Sequence, residues 1–254
     1  MKKARRRIIV EENLEALSER GARLFEQGAI ESCMKSGRFA VALSGGSTPR
    51  KMHKKLALFS SIPWHGIHIF WGDERCVPAD DPSSNYGAAW EDFIGKLILR
   101  PEQIHRMPAQ FNPQQGASMA EKALEQFFSL KQGQLPVFDL IFLGLGKDGH
   151  TASLFPGDQA LNQQERLVVA VKGGDPDVYR LTLTLPVINR AREVIFMVSG
   201  LEKGGAVKAV IEAGDQAFPA SRVRPASGGL TWLLDRDAAS QLEDEPLSLE
   251  GPVP

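Results

Sequence analysis

The sequence predicts a three-layer α/β/α fold with a mainly parallel sheet, and three observations lead there. Short apolar runs alternate with longer amphipathic stretches along the whole chain. Several of the apolar runs end in glycine-containing turns, and helical stretches open just beyond them. No internal repeat, low-complexity segment or convincing linker interrupts the alternation. Strands that alternate with helices imply βαβ units, whose parallel strands are covered on both faces. A small inserted lobe is compatible with the pattern.

The elements follow in order. "RRIIVEE" reads as a strand, and residues 12 to 35 as a helix with Leu14, Leu17, Ala22, Phe25 and Ile30 on one stripe. "RFAVALSGG" is a second strand ending in a glycine turn. "STPRKMHKKLAL" opens a helix, with Ser47 or Thr48 as N-cap and Pro49 in the first turn. "IHIFWGDE" is a third strand and "SSNYGAAWEDFIGKLI" a helix with a serine start. Residues 113 to 131 form a further helix, followed by "VFDLIFLGLG", the most apolar strand. "RLVVAVKG", "RLTLTLPVI" and "EVIFMVSG" add three strand candidates. "LEKGGAVKAVIEAG" is a helix closed by Gly214, weakened at its start by Gly204 and Gly205. "LTWLLDRDAASQ" ends the ordered part. Residues 1–242 are expected to form one catalytic α/β domain and 243–254 a loose, proline- and acid-rich tail.

Composition narrows the function. The chain has 254 residues, 43% of them hydrophobic, enough to bury a substantial core. A formal charge of −1 provides no global field for nucleic acid or an anionic membrane, so any bound anion needs a local site. Two cysteines, Cys33 and Cys76, do not make a disulfide framework. The basic start "MKKARRRIIV" has an apolar run only from Ile8 to Val10, too short for a secretory signal. No stretch reaches the roughly 18 apolar residues of a membrane span. A cytoplasmic enzyme or binding protein with reduced thiols is expected.

Functional groups in such sheets gather at the carboxyl ends of strands. Four polar clusters sit there: "SGGSTP" from 44, "GDER" from 72, "GKDGH" from 146 and "SGLEK" from 199. In the first, Ser44, Gly45, Gly46, Ser47 and Thr48 place successive backbone N–H groups at a helix N-terminus, an arrangement that binds phosphate. A capped βα turn is the ordinary alternative, and no Walker motif is present. In the second, Asp73, Glu74 and Arg75 follow an apolar strand, with Asn85 shortly after. His65, His68 and Cys76 lie nearby but match no standard metal spacing, and His68 alternates with Ile67 and Ile69 as a strand-face residue.

The third cluster contains Gly144, Gly146 and Gly149, a formal G-x-G-x-x-G. A dinucleotide fingerprint needs a long helix after the glycines and an acid about 20 residues on. Pro156 limits any helix to two turns or fewer, so the glycines read as spacers that present Asp148 and His150. A histidine on such a loop, two residues from an aspartate, is a good general-base candidate. Arg180 and Lys203 complete the set. Lys203 lies in the first turn of a helix, where a cation is unfavourable unless an anion joins it.

These blocks carry a resemblance. "LSGGSTP", "WGDERCVPADDPSSNY", "FDLIFLGLGKDGHTASLFPG", "RLTLTLPVINRAREVIFMVSG" and "FPASRV", in that order over about residues 38 to 236, resemble the 6-phosphogluconolactonases. The resemblance implies a fold similar to glucosamine-6-phosphate deaminase and ribose-5-phosphate isomerase. It implies hydrolysis of 6-phospho-D-glucono-1,5-lactone to 6-phosphogluconate in the oxidative pentose phosphate pathway, with neither metal nor organic cofactor. His150 would then be the base that activates water, with Asp148 orienting or polarising it. The Ser44–Thr48 turn, Arg180 and Lys203 would hold the phosphate, and Asp73, Arg75 and Asn85 would line the sugar pocket. The partner implied is a small phosphorylated sugar lactone, not nucleic acid or membrane, for a monomer or weak homodimer.

The chemistry is consistent with this. A cyclic ester is already electrophilic, and no serine stands in a G-x-S-x-G elbow that would indicate an acyl-enzyme. A sugar-phosphate deaminase or isomerase of the same fold is the nearest alternative. Its pattern continues the Asp-Glu pair with tyrosine and the histidine block toward Phe-Asn-Glu-Pro, where this chain has Arg75 and "TASLFP". A non-catalytic sugar-phosphate sensor and an NAD-dependent dehydrogenase are the other readings.

Overall fold

The computed structural model describes residues 5–243. Among the described residues nine strands and seven α-helices follow one another: β1 (Arg5–Glu11), α1 (Leu14–Ser36), β2 (Phe39–Leu43), α2 (Ser47–Leu56), β3 (Ile67–Trp71), β4 (Asp73–Arg75), α3 (Asn85–Asp92), α4 (Pro113–Phe128), β5 (Leu140–Leu143), β6 (Val168–Gly173), β7 (Val178–Leu183), α5 (Leu185–Ile188), β8 (Glu193–Val198), α6 (Gly204–Lys208), β9 (Gly229–Asp235) and α7 (Arg236–Ala239). Six strands form a wholly parallel sheet in the order β1-β9-β8-β5-β2-β3. The mainly parallel three-layer architecture expected from the alternation is therefore the observed one.

The period-two alternation of each strand builds the layers. Val41, Leu43, Ile69, Trp71, Phe142 and Met197 face one core with Leu17 and Phe25 of α1 and Met52 of α2. Ala40, Ala42, Phe70, Ile141, Leu143 and Phe196 face the other, with Leu124 of α4 and Val207 of α6. Each large side chain so buried contributes about 1.5–3 kcal/mol relative to exposure. Of the expected α1 stripe, Leu17, Ala22 and Phe25 are fully buried, while Leu14 and Ile30 lie at its margin. Asn13 caps α1 through Oδ1, and Gly37 (φ 75°) ends it.

Three departures from the sequence reading concern the elements around the site. The apolar run through "IHIFWGDE" is two strands, because the chain leaves the parallel sheet at Gly72, whose N–H donates to Leu43 O while its carbonyl accepts from Leu183 N–H. Its last residues, β4, join β7 and β6 in a separate three-stranded antiparallel sheet. This small sheet packs on the α4 side of the molecule and corresponds to the inserted lobe. Second, Gly46 and not Ser47 or Thr48 is the N-cap of α2, with φ 98° that a side chain would resist, and no side chain caps the helix. Third, the helix expected from Leu201 is a 3₁₀ turn, then α6, then a π turn over Ala209–Ala213, ended as expected by Gly214 in the left-handed region. Of the expected tail, only Glu243 falls within the described residues. Its Oε1 accepts from Lys208 Nζ at 2.6 Å.

Candidate active site

Strand order places the site. From β2 the chain moves outward to β3, whereas from β5 it moves the other way to β8, so adjacent β2 and β5 form a topological switch point. Ligands in open α/β sheets bind at the carboxyl edge of such a point. A cavity of about 270 Å³ lies there, lined by Ser44–Pro49 after β2, Asp73 and Arg75 of β4, Gly144–Gly146 and His150 after β5, Arg180 of β7, and Ser199, Glu202 and Lys203 after β8. All four strand-end clusters thus meet in one cleft. A larger cleft of about 430 Å³ lies at the opposite edge, where Phe39, Leu140 and Glu193 begin their strands. Its charges answer one another, as in Arg192–Asp139 at 3.1 Å and Arg7–Glu193 at 3.5 Å.

The glycines of 144–150 act as the spacing argument required. Gly146 N–H donates to His150 O at 2.8 Å, and Gly149 N–H to Gly146 O at 3.0 Å, with Gly149 at φ 77°. The tight loop brings Asp148 Oδ1 to 2.6 Å from His150 Nδ1. Asp148 is thus the carboxylate in contact with His150 Nδ1. Burial opposes its ionisation, but hydrogen bonds from the His150 side chain and backbone outweigh it and hold the Asp148 carboxyl below its usual range. An ionised Asp148 requires a proton on Nδ1, which leaves the lone pair on Nε2.

The α2 N-terminus opens on the cavity. Its first turn contains no acid, and its last turn carries His53, Lys54 and Lys55. Nothing in the helix itself neutralises the positive end of its dipole. Lys203, half-buried near the Asp148 loop, has no acceptor for Nζ among the described residues. Burial lowers its pKa, with Glu202 and Asp148 opposing and Lys147 adding to the fall.

Arg180 is placed differently from the simple expectation of a free phosphate ligand. It is buried and donates through Nε to Gly173 O at 2.8 Å and through Nη2 to Pro176 O at 3.1 Å and Asp175 O at 3.3 Å. It lines the cavity but also fastens the β6–β7 turn. Burial, with Arg75 beside it, lowers its pKa.

Asp73, Arg75 and Asn85 form one unit on the cavity wall. Asn85 Nδ2 donates to Asp73 O at 2.8 Å, and Arg75 Nη1 to Asn85 Oδ1 at 2.6 Å. Buried Arg75 Nε finds no partner among the described residues. Gly45 stands so close that a β-carbon there would meet Asn85 Oδ1 at 1.8 Å.

Sequence reasoning missed two supports. Glu74, grouped with its neighbours as one charge cluster, points away from them and accepts N–H bonds from Arg75, Asn85 and Tyr86 at 2.7–2.8 Å, fixing the start of α3. Burial raises its pKa despite these donors. Strand alternation across Asp73-Glu74-Arg75 was the available signal. The "FPASRV" block, to which no role was given, supports the histidine loop. Ala220 N–H donates to Gly149 O at 3.0 Å, and a β-carbon on Gly149 would strike the Phe218 ring. His68 does lie on a strand face, with Nδ1 3.1 Å from His105 Nε2. Among the described residues no three His, Cys, Asp or Glu side chains form a metal-binding group.

The family model for glucosamine-6-phosphate isomerases/6-phosphogluconolactonase matches residues 12–232, which takes in every strand end of the cleft. The chain belongs to this family. Within it, a 6-phosphogluconolactonase of Synechocystis sp. is 42% identical over 91% of this chain and 95% of its own length. One from Rattus norvegicus is 38% identical over 87% and 88%. The solved 6-phosphogluconolactonase from Trypanosoma cruzi superposes with a TM-score of 0.86, covering 95% of this chain and 98% of that one at 28% identity. A monomeric glucosamine-6-phosphate deaminase shares the fold, with a TM-score of 0.78 at 20% identity. Among the described residues no helix is long and apolar enough to cross a membrane.

Proposed function

We propose that this family member is a 6-phosphogluconolactonase, hydrolysing 6-phospho-D-glucono-1,5-lactone to 6-phospho-D-gluconate in the pentose phosphate pathway. The observation that carries the reading is the His150–Asp148 pair, at 2.6 Å, on the same cavity wall as an uncapped helix N-terminus. The phosphate is held by the N–H groups of the Ser44–Thr48 turn with Lys203, and more distantly by Arg180. Binding energy from this remote group aligns the lactone ring. Asp73, Arg75 and Asn85 receive the ring hydroxyls from the cavity wall.

His150 Nε2 takes a proton from water as its oxygen attacks the lactone carbonyl carbon. Asp148 stabilises the resulting imidazolium. The tetrahedral oxyanion collapses, the bond from the carbonyl carbon to the ring oxygen breaks, and the imidazolium returns its proton to that oxygen. A positioned base of this kind contributes about 10²–10⁴ in rate. The substrate is a small molecule, and the enzyme works in the cytoplasm as a monomer or weak homodimer. No metal or organic cofactor takes part in this scheme.

The deaminase alternative requires proton transfer between adjacent carbons and protonation of an amine, hence further acids and bases around an opened sugar. Between His150 and Pro156 this chain supplies only Thr151, Ala152, Ser153, Leu154 and Phe155. The test is direct. Purified protein should open fresh 6-phosphogluconolactone at rates proportional to enzyme and above spontaneous opening, and release no ammonia from glucosamine 6-phosphate. Comparable ammonia release, or lactone opening no faster than buffer, would sink the reading.

A further inference from the structure

The turn that carries His150 is tied to both sheets. Thr151 Oγ1 donates to Gly144 O, just beyond β5 of the parallel sheet, at 2.9 Å. Two residues on, Ser153 Oγ donates to Asp73 Oδ2 at 2.6 Å, and Ser153 N–H donates to Thr182 Oγ1 at 3.2 Å. Asp73 and Thr182 are direct partners across β4 and β7 of the small sheet. Between the two ties Ala152 has φ 48°, the left-handed region that a residue with a β-carbon avoids. Such a conformation persists only where its surroundings over-determine it. Thr151, Ser153 and Thr182 are all completely buried.

Ser153 is therefore no nucleophile, since its hydroxyl is enclosed and committed. It does connect the base to the sugar pocket by a short route, three residues along the chain from His150 and one hydrogen bond from Asp73. The other side-chain donor to Asp73 among the described residues is Asn85 Nδ2, at a longer 3.3 Å from Oδ1. Removing the serine hydroxyl would leave both the Asp73 carboxylate and the Ala152 turn less constrained.

We propose that Ser153 is a positioning residue for lactone hydrolysis: its hydroxyl, given to Asp73 from the turn that presents His150, sets the spacing between the base and the carboxylate that receives the sugar ring. This role rests on the lactonase reading of the same site. It predicts that loss of the hydroxyl misaligns a bound substrate more than it weakens binding, because the phosphate-holding turn is untouched.

Ser153→Ala should lower kcat by about tenfold to a hundredfold, the scale on which small misplacements act. KM and the Kd for 6-phosphogluconate should stay within about threefold of wild type. The effect should vanish in a cycle with Asp73→Asn, where adding Ser153→Ala costs less than about twofold more. Should Ser153→Ala fail to fold, Ser153→Cys keeps the volume while replacing the donor by a weak one, and takes its place in the cycle. Wild-type kcat in the variant, or fully additive losses in the cycle, would overturn the role. A readout independent of turnover is the imidazole nitrogen resonances of His150, which should broaden or shift in the serine variant. Unchanged resonances would also overturn the proposal. A wild-type protein without lactonase activity would sink the reading of the site, and the resonance comparison would still decide whether Ser153 positions His150.

Discussion

Gly146 lies against the His150 imidazole so closely that an added β-carbon would stand 2.1 Å from Nδ1 and 2.5 Å from Asp148 Oδ1. The glycine admits the imidazole and its aspartate, which a side chain here would displace. Gly146→Ala should push the pair apart and lower kcat by about 10²-fold, since displacement near 1 Å can cost that much. Circular dichroism should show the fold retained. Turnover within a few-fold of wild type would mean that the pair is not needed in its observed geometry.

His150→Asn should lower kcat by at least about 10²-fold, as loss of a general base does, with the Kd for product little changed. Asp148→Asn replaces the carboxylate that holds the proton on Nδ1 by a neutral amide, whose NH₂ can donate to Nδ1 and favour the other tautomer. It should also lower kcat, with His150 retained, and steady-state kinetics of the two variants beside the double mutant will show whether they act as one unit. Independent, multiplicative losses would contradict a dyad.

Lys203 and Arg180 should separate. Lys203→Ala should raise KM for the phosphorylated lactone by about tenfold or more, from a charge-assisted bond worth about 1.5–3 kcal/mol, and barely affect an unphosphorylated lactone. Arg180→Ala should also lower the melting temperature, because three backbone carbonyls of the β6–β7 turn lose their donor. An Arg180 variant with unaltered Tm would show that the turn holds itself.

Acid should weaken the protein through His53. This side chain is buried on α2 with both ring nitrogens unpartnered. Burial pushes its pKa from 6.5 down to about 4, with Asp92 opposing and Arg50 assisting. The unfolded chain takes up a proton near pH 6.5 that the folded chain refuses until about pH 4, so stability is full above this window and falls as pH drops through it. At 1.36 kcal/mol per unit, the loss from this one group is about 3 kcal/mol. Urea titrations at pH 7 and pH 4 should show His53→Leu losing correspondingly less than wild type. His105, also lowered to about 4 by burial and by His68, keeps part of the acid dependence in place. Equal losses in both proteins would remove His53 as a cause.

Much of this was legible because the sheet is buried on both faces. Runs such as "FAVAL" and "EVIFMV" have no other use, and turn residues at their ends mark where polar groups converge. The local dyad of Asp148 and His150 could be read as well, since a single loop residue, Gly149, separates its members. What stayed hidden depends on contacts distant in sequence. Whether β3 continues into β4 is decided by Leu183, more than a hundred residues away, whose N–H donates to the Gly72 carbonyl. The commitment of Arg180 depends on how the 173–176 turn folds back over it. Ser153 reads as an ordinary polar residue until Asp73, eighty positions earlier, is seen beneath it. The N-cap of α2 was misassigned because Ser47 and Thr48 are good caps by type, whereas the backbone gives that position to Gly46.

That uncapped helix has a practical consequence for handling the protein. Its leading N–H groups have no side-chain acceptor, so in the empty molecule solvent must complete them. Any small tetrahedral oxyanion in the medium will compete for the same donors. Phosphate or sulfate buffers should therefore act as occupants as well as media, raising the midpoint of thermal unfolding with concentration by mass action and inhibiting competitively in the same range. Preparations purified in them would look more robust and less active than those in a zwitterionic amine buffer. Dialysis should reverse both differences together, which ties shelf stability and catalytic readiness to one short turn of backbone.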